Sequence, residues 1–427
     1  VARRWHQICF NLKIQKSMPF EVQTQTVALS QLSSFPPFTF TGAVNNNYIY
    51  GITGFQLRYA GPSDKHVSHN VLDLGVSVTA SCTVNQVILQ PKFVLDDDGG
   101  NQPDPDNSFM ILAVIAWVGD SNDAPYLFNT GLIPGSSPIN YHIPKMPATP
   151  GDCNALLSGF QYHYSEHGTI GDDNQVCTIS AAASANVQTG NITFTGAMYD
   201  NSQHYADVQG DVGFLSMAGS SGLVFESVPN QQASGSATFD MGQAMTACAI
   251  IMTGFEATYG SKAHDIYEMG AGLAQAPAYI QNQNQVSVYK PSAWMNDGTT
   301  TDVQSNTASY ASFLMIGVQA SAPTVGTTSC TSTATTATVS TRINPCGSTA
   351  TVGCDYGTSS SYGSAAEPQL LKPQYIDNGL ICNSTSGVLT FELTGLQPGT
   401  TYNFKIVASN DTGSTNGVNT TFTTAAS

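Results

Sequence analysis

The residues with most capacity for chemistry form an acidic run. Asp96-Asp97-Asp98-Gly99-Gly100-Asn101 is followed by Asp104-Pro105-Asp106-Asn107. Hard oxygen donors on a glycine-softened turn suit a hard cation, and Ca²⁺ is the ion such a set would take. The register is not that of an EF-hand, and the same residues also describe a solvated loop between strands. Three histidines form the second set: His66, His167 and His264. Each follows a Gly-Phe-x-x-x-Tyr pattern, at Gly54-Phe55…Tyr59, Gly159-Phe160…Tyr164 and Gly254-Phe255…Tyr259. Two readings stand for them. They could hydrogen-bond in the loop that ends each strand, or form three equivalent sites for a sugar or metal. The dissimilar neighbours, Asp64-Lys65, Ser165-Glu166 and Lys262-Ala263, favour the first.

No catalytic layout accompanies these residues. The sequence contains no G-x-S-x-G elbow, no H-E-x-x-H helix motif and no glycine-rich phosphate loop ending in Lys. No C-x-x-C pair supports a zinc ribbon or a thioredoxin-type site. The expectation is a protein that is not an enzyme and needs no cofactor, Ca²⁺ being the one ion its residues suggest. Trp117 and Trp294 mark the alternative places for a glycan.

The elements that position these residues read as strands. Val76-x-Val78, Val84-x-x-Val87-x-Leu89 and Val286-x-Val288 alternate as half-buried strands do, between clusters of Gly, Asn, Asp and Pro. The Gly-Phe-x-x-x-Tyr pattern recurs at intervals of 105 and 95 residues. Each copy follows an apolar run and a small polar residue, Ile52-Thr53, Leu157-Ser158 or Met252-Thr253. About 60 residues later comes an apolar run ending in Gly: Phe109 to Gly119, Val212 to Gly219 and Phe313 to Gly317. Phe and Tyr four apart share one face of a strand, and Gly admits a bulge or a close approach. The predicted fold is all-β: antiparallel sandwich or jelly-roll-like units in tandem, at 18–130, 131–225 and 226–322, then a domain at 323–427.

Composition narrows the function classes. Charged residues make up 10% of the 427 residues, against roughly 25% in an average soluble protein. Uncharged surfaces repel one another weakly, so subunits can pack closely. A net charge of −16 argues against nucleic acid and against anionic lipid. The longest apolar run, Phe109 to Val118, falls short of the roughly 20 residues a spanning helix needs, so no membrane insertion is expected. Residues 1–17 stand apart, with Arg3, Arg4, Lys13 and Lys16 and no acid. Three readings remain open for them: an assembly arm, a targeting remnant, or a leader foreign to the native product, with Met18 the start.

The last hundred or so residues carry a resemblance. Leu393-Thr394-Gly395-Leu396-Gln397-Pro398-Gly399-Thr400-Thr401-Tyr402 leads into Asn403-Phe404-Lys405-Ile406-Val407-Ala408. This resembles the fibronectin type III signature, in which a Leu-x-Pro-Gly-Thr corner opens a Tyr-bearing strand. Asn344-Pro345-Cys346-Gly347 and Tyr356-Gly357-Thr358 are similar to a bacterial variant of that family. The resemblance implies a surface-exposed sandwich and no reaction. Cys346 and Cys354 depart from the pattern; a Cys346–Cys354 and a Cys330–Cys382 bridge are one pairing among three. Sequons stand at Asn191, Asn383, Asn410 and Asn419.

Together these features predict a structural subunit that self-assembles into an extracellular filament, sheath or other surface assembly, with the C-terminal domain exposed. Its partners would be identical subunits. The alternatives are a glycan-binding adhesin at a cell surface and a virion decoration or fibre protein.

Overall fold

The computed structural model describes residues 20–427 apart from 62–67, 98, 120–124, 144–152, 166–173, 217–221, 233–235, 261, 274–278, 281–282, 290, 299–307, 378–381 and 385. The basic segment 1–17 lies outside the described residues. The fold is all-β and antiparallel, with one 3₁₀ turn at Leu29–Ser34 among the described residues. No helix among them is long and apolar enough to cross a membrane.

The Gly-Phe-x-x-x-Tyr sequences lie on strands Tyr48–Arg58, Cys153–His163 and Met245–Thr258. Most of their residues are buried on both faces, which explains their near-continuous apolar character. Each motif strand pairs on one side with the apolar closing strand of its own stretch: Phe109–Trp117, Asp207–Ser216 or Tyr310–Gln319. On its other side lies a strand from a different stretch. Asp73–Cys82 pairs with Cys153–His163, Thr178–Asn186 with Met245–Thr258, and Glu268–Gly272 with Tyr48–Arg58. The first lends to the second, the second to the third and the third back to the first. Three tandem stretches therefore make three composite sheets that close in a cycle, where self-contained tandem units were expected.

The motif glycines are the points of exchange. Pairing with the closing strand shifts register at Ile52/Gly54, Leu157/Gly159 and Met252/Gly254, a bulge at the same place three times. A Cβ on Gly54 would lie 2.5 Å from the Leu273 carbonyl oxygen. One on Gly254 would lie 2.8 Å from the Ala182 Cβ. Each such neighbour belongs to the lent segment, so the incoming backbone occupies the space a side chain would fill.

The three sheets meet at a common centre. Phe55, Phe160 and Phe255 form a triangle with centroid separations of 5.3, 5.4 and 5.3 Å. Each ring is essentially solvent-free, which contributes roughly 1.5–3 kcal/mol apiece, with about 0.5–1.5 kcal/mol more for each aromatic pair. The small polar residues before the glycines stitch the strands together. Thr53 Oγ1 donates to the Ile250 carbonyl at 2.6 Å, and Ser158 Oγ donates to the Tyr50 carbonyl at 2.9 Å. A second core, including Ile49, Leu156 and Ile251, gathers apolar residues of all three stretches.

The C-terminal region is a separate sandwich with its own core of residues such as Val339, Val352, Phe391 and Phe404. One sheet holds Thr324–Ser332, Thr336–Asn344 and Gly387–Thr394; the other centres on Ala350–Gly357 and Thr401–Asn410. Tyr402, Phe404, Ile406 and Ala408 alternate inward as expected. The Tyr402 hydroxyl accepts the Gln397 N–H at 3.0 Å, locking the corner before its strand.

One cysteine expectation is corrected, and the Cys330–Cys382 bridge involves a side chain outside the described residues. Cys330, Cys346 and Cys354 are free thiols. Cys354 lies in the sandwich core, whereas Cys346 sits in the Asn344–Gly347 turn that faces the body, so no Cys346–Cys354 bridge forms. Of Cys382 only the backbone, in strand Cys382–Ser384, is described. The turn serves the junction instead. Ser321 N–H donates to the Cys346 carbonyl at 3.1 Å, and a Cβ on Gly347 (φ 87) would lie 2.5 Å from the Met245 carbonyl oxygen.

Candidate functional site

Each motif strand ends on a buried tyrosine that meets a histidine. Tyr59 packs on His69 at 4.8 Å, Tyr164 on His204 at 5.1 Å and Tyr259 on His264 at 4.9 Å between ring centroids. An aspartate completes each group, immediately after strands Gln86–Asp96, Asn191–Tyr199 and Ser292–Asn296. Asp97 Oδ2 lies 3.0 Å from His69 Nδ1, and Asp297 Oδ2 lies 3.6 Å from His264 Nδ1. In the middle group Asp200 Oδ1 accepts the His204 backbone N–H at 2.9 Å.

These groups tie the ends of the sheets together. Tyr59 donates to the Asn70 carbonyl at 3.0 Å and Tyr259 to the Asp265 carbonyl at 3.4 Å. Burial pushes the Tyr59 hydroxyl well above the ordinary tyrosine range, and Asp97, Asp96 and Asp73 push it further. Burial opposes ionisation of Asp97, but hydrogen bonds from Asn101 and the nearby His69 outweigh it and hold the carboxyl below its usual value. A protonated phenol beside an ionised carboxylate and an imidazole that pairs with it forms a bracing network rather than an activated nucleophile. Of the three histidines singled out in sequence, His264 belongs to it; His66 and His167 lie outside the described residues. His69 and His204 take the corresponding places. The signal was present in the Asp97, Asp200 and Asp297 series, but the loops between differ in length.

The acidic run is used locally. Asp96 Oδ1 accepts the Asp97 N–H and the Gln102 Nε2–H, both at 3.0 Å. Asp104 accepts the Asp106 and Asn107 N–H groups at 3.0 and 3.2 Å and Asn107 Nδ2 at 2.7 Å. Asp106 contributes its backbone to this turn, and Asp98 lies outside the described residues. Among the described residues no three His, Cys, Asp or Glu side chains gather as a metal-ligand set. Asp96 and Asp104 thus serve as turn acceptors.

The remaining predicted positions divide. Trp117 is buried edge-on against Phe20 at 4.9 Å. Trp294 lies against Gly270 and donates to Glu268 Oε1 at 3.1 Å. Asn410 is unsuited to carry a glycan: its Nδ2 donates to the Ser321 and Pro345 carbonyls at 2.8 and 3.0 Å in the junction. Asn191 opens its strand half-exposed, and Asn419 is exposed with its Nδ2 donating to Asn403 Oδ1 at 3.1 Å. Asn383 is described in backbone only.

One concave site was not foreseen. A cleft of about 430 Å³ opens between strand Tyr48–Arg58 of the first sheet and strands Asp73–Cys82 and Tyr126–Asn129 of the second. Asn46, Tyr48, Tyr50, Thr79, Phe128 and Thr130 are among the residues lining it, and among the described residues no lining side chain is charged. Behind this wall Asp211 is fully buried, with Oδ2 3.0 Å from the Tyr50 hydroxyl and Oδ1 3.2 Å from Thr130 Oγ1. Tyr50 also contacts the Val78 carbonyl at 3.1 Å. Burial raises the Asp211 carboxyl to about 6, despite the hydrogen bonds from Tyr50 and Thr130 that favour its anion. The arrangement fixes Tyr50 and Thr130 in the cleft wall; Asp211 itself does not line the cleft. Its one sequence signal is an acid beside the apolar run that starts at Val212.

No family model matches the chain, and no curated protein matches it. Several solved structures are similar to parts of it. The sensor domain of the anti-sigma factor RsgI4 from Pseudobacteroides cellulosolvens is 22% identical over 26% of this chain and 100% of its own, with a TM-score of 0.19. The FN1–FN3 domains of chicken CNTN1 are 9% identical over 65% of this chain and 100% of their own, with a TM-score of 0.19. A two-domain fibronectin type III segment of chicken tenascin is 14% identical over 47% of this chain and 97% of its own, with a TM-score of 0.16.

Proposed function

We propose that this chain is a non-enzymatic structural subunit of an external surface or particle assembly. The cyclic exchange of strands around Phe55, Phe160 and Phe255 is the observation that carries the reading. Exchange makes each composite sheet depend on two stretches, so the body resists opening as one unit rather than as beads on a string. Such a body suits a mechanical base. The C-terminal sandwich, of the fibronectin type III kind, is held to that base at a defined junction through Asn410 and Gly347 and would be the displayed end.

The low share of charged residues, 10% of the chain, supports close packing of identical subunits. Light scattering on the full chain across a concentration series tests the reading. Growth of large, regular species with concentration is the expected result. A monomer that persists at the highest concentration reached would contradict it.

A further inference from the structure

We propose that the cleft between the first and second sheets is a binding site for an uncharged saccharide. This goes beyond the structural role. The cleft's volume, about 430 Å³, falls within the range of about 300–1,000 Å³ typical of small-molecule sites. Its lining selects the ligand class. Among the described residues its lining carries no lysine or arginine for a phosphate or sulfate and no carboxylate for a cation. Tyr48 and Phe128 supply aromatic surface, and Asn46 and Thr79 supply amide and hydroxyl groups, while buried Tyr50 and Thr130, whose hydroxyls are engaged with Asp211, brace the wall. Apolar ring faces flanked by neutral donors and acceptors match the C–H faces and hydroxyls of a sugar.

The aromatic surface continues out of the cleft. Phe128 lies 5.2 Å from Tyr126 and 5.8 Å from Tyr141 between ring centroids. Those tyrosines are 44% and 40% exposed, so the row offers solvent-facing rings to further sugar units. This extension favours a chain of sugars over a monosaccharide.

Two independent features mark the place as built rather than incidental. First, the body's internal symmetry breaks here. Four residues before the motif glycine stands Tyr50 in the first strand, but Ala155 and Ile250 in the other two. Asp211, which anchors Tyr50, is matched across the motif glycines by Ile111 and Ser312. Second, Asn46 is set at the rim by a tight Val44–Asn47 turn, in which the Asn47 N–H donates to the Val44 carbonyl at 2.8 Å and Asn45 and Asn46 take φ of 48° and 62°, a conformation asparagine favours. Asp211 and Thr130 behind and within the wall pre-organise it.

The test uses the full chain on a printed array of neutral plant, microbial and animal glycans, with sialylated and sulfated glycans as charged controls. The best neutral binder is then titrated by calorimetry against wild type, Thr79→Arg and Tyr126→Ala. Thr79 and Tyr126 are both exposed, so these variants should keep the wild-type melting temperature, which is measured alongside. The expected result is saturable binding of neutral glycans. Thr79→Arg, which puts a long charged chain across the cleft, should weaken it at least about tenfold, a loss of about 1.4 kcal/mol. Tyr126→Ala should weaken binding of longer oligosaccharides more than of short ones. Absence of binding to every neutral glycan, a preference for the charged controls, or affinity unchanged in folded Thr79→Arg would each overturn the proposal.

Discussion

The Tyr50 hydroxyl and the Asp211 carboxyl lie 3.0 Å apart with no solvent access to the acid, and the same hydroxyl lies 3.1 Å from the Val78 carbonyl. Tyrosine has one proton to donate, and an ionised Asp211 and Val78 would both require it. With Asp211 ionised, Tyr50 donates to it; protonation of Asp211 lets the acid donate to Tyr50 instead and frees the phenol proton for Val78. The pair thus joins a strand of the first stretch, a strand lent to the second and a closing strand of the second through one proton.

Stability should therefore depend on pH in an unusual direction for an acid. The folded-state value of Asp211 is raised to about 6, above its value of about 3.9 in an unfolded chain. Its contribution is fully present below about pH 4, is lost as pH rises through 6, and then levels off. The loss amounts to about 3 kcal/mol, since one pKa unit is about 1.4 kcal/mol. Asp211→Asn should flatten this part of the profile. Chemical denaturation of both proteins between pH 4 and 8 measures it; identical profiles would contradict the assignment.

The phenylalanine triangle should act as one unit. Phe160→Ala is expected to cost about 3–5 kcal/mol, the range for a large aromatic removed from a core. Its ring meets both Phe55 and Phe255, so Phe55→Ala added to Phe160→Ala should cost less than the sum of the two. Urea melts of the single and double variants decide this. Strict additivity would show that the rings do not share one core.

The motif glycines should be sensitive while a sandwich glycine is not. Gly254→Ala places its Cβ 2.8 Å from Ala182 Cβ and 2.9 Å from the Ala181 carbonyl oxygen, an overlap expected to cost about 1–3 kcal/mol. A Cβ on Gly353 meets nothing within 4 Å, so Gly353→Ala should be neutral or stabilise by up to about 1 kcal/mol. Thermal melts of both variants provide the comparison, and equal losses would contradict the close approach of the lent strand.

The C-terminal thiols should be chemically quiet. Burial, with smaller contributions from Asp355 and Cys330, pushes the Cys354 thiol up to about 12. Iodoacetamide at pH 8 should leave Cys354 unmodified in the native chain and modify it after unfolding. Peptide mapping under non-reducing conditions reads the outcome directly. Recovery of a Cys346–Cys354 cross-linked peptide would contradict the structure.

Much of this architecture was legible in the sequence, for identifiable reasons. The Gly-Phe-x-x-x-Tyr pattern exposed both the repeat and the bulge because the constraint is local: a glycine, a period of two and an inward Phe and Tyr. The Pro398-Gly399 to Tyr402 corner was legible on the same grounds. The exchange of strands was not, because alternation says which residues face inward but not whose strand lies alongside. The pairing of Tyr50 with Asp211 spans 161 residues, and that of Thr130 with Asp211 spans 81, so no local pattern could announce it. Of the three histidines singled out, His264 was found and the other two lie outside the described residues; the equivalent places are filled from different loops, since His69 and His264 precede the lent strands, while His204 follows one.

Electron microscopy of concentrated full-length protein tests the central claim most directly. The account predicts regular filaments, sheets or particles whose repeating unit shows a three-lobed body with one appended domain. A field of separate molecules at every concentration, with no ordered contact between them, would contradict it.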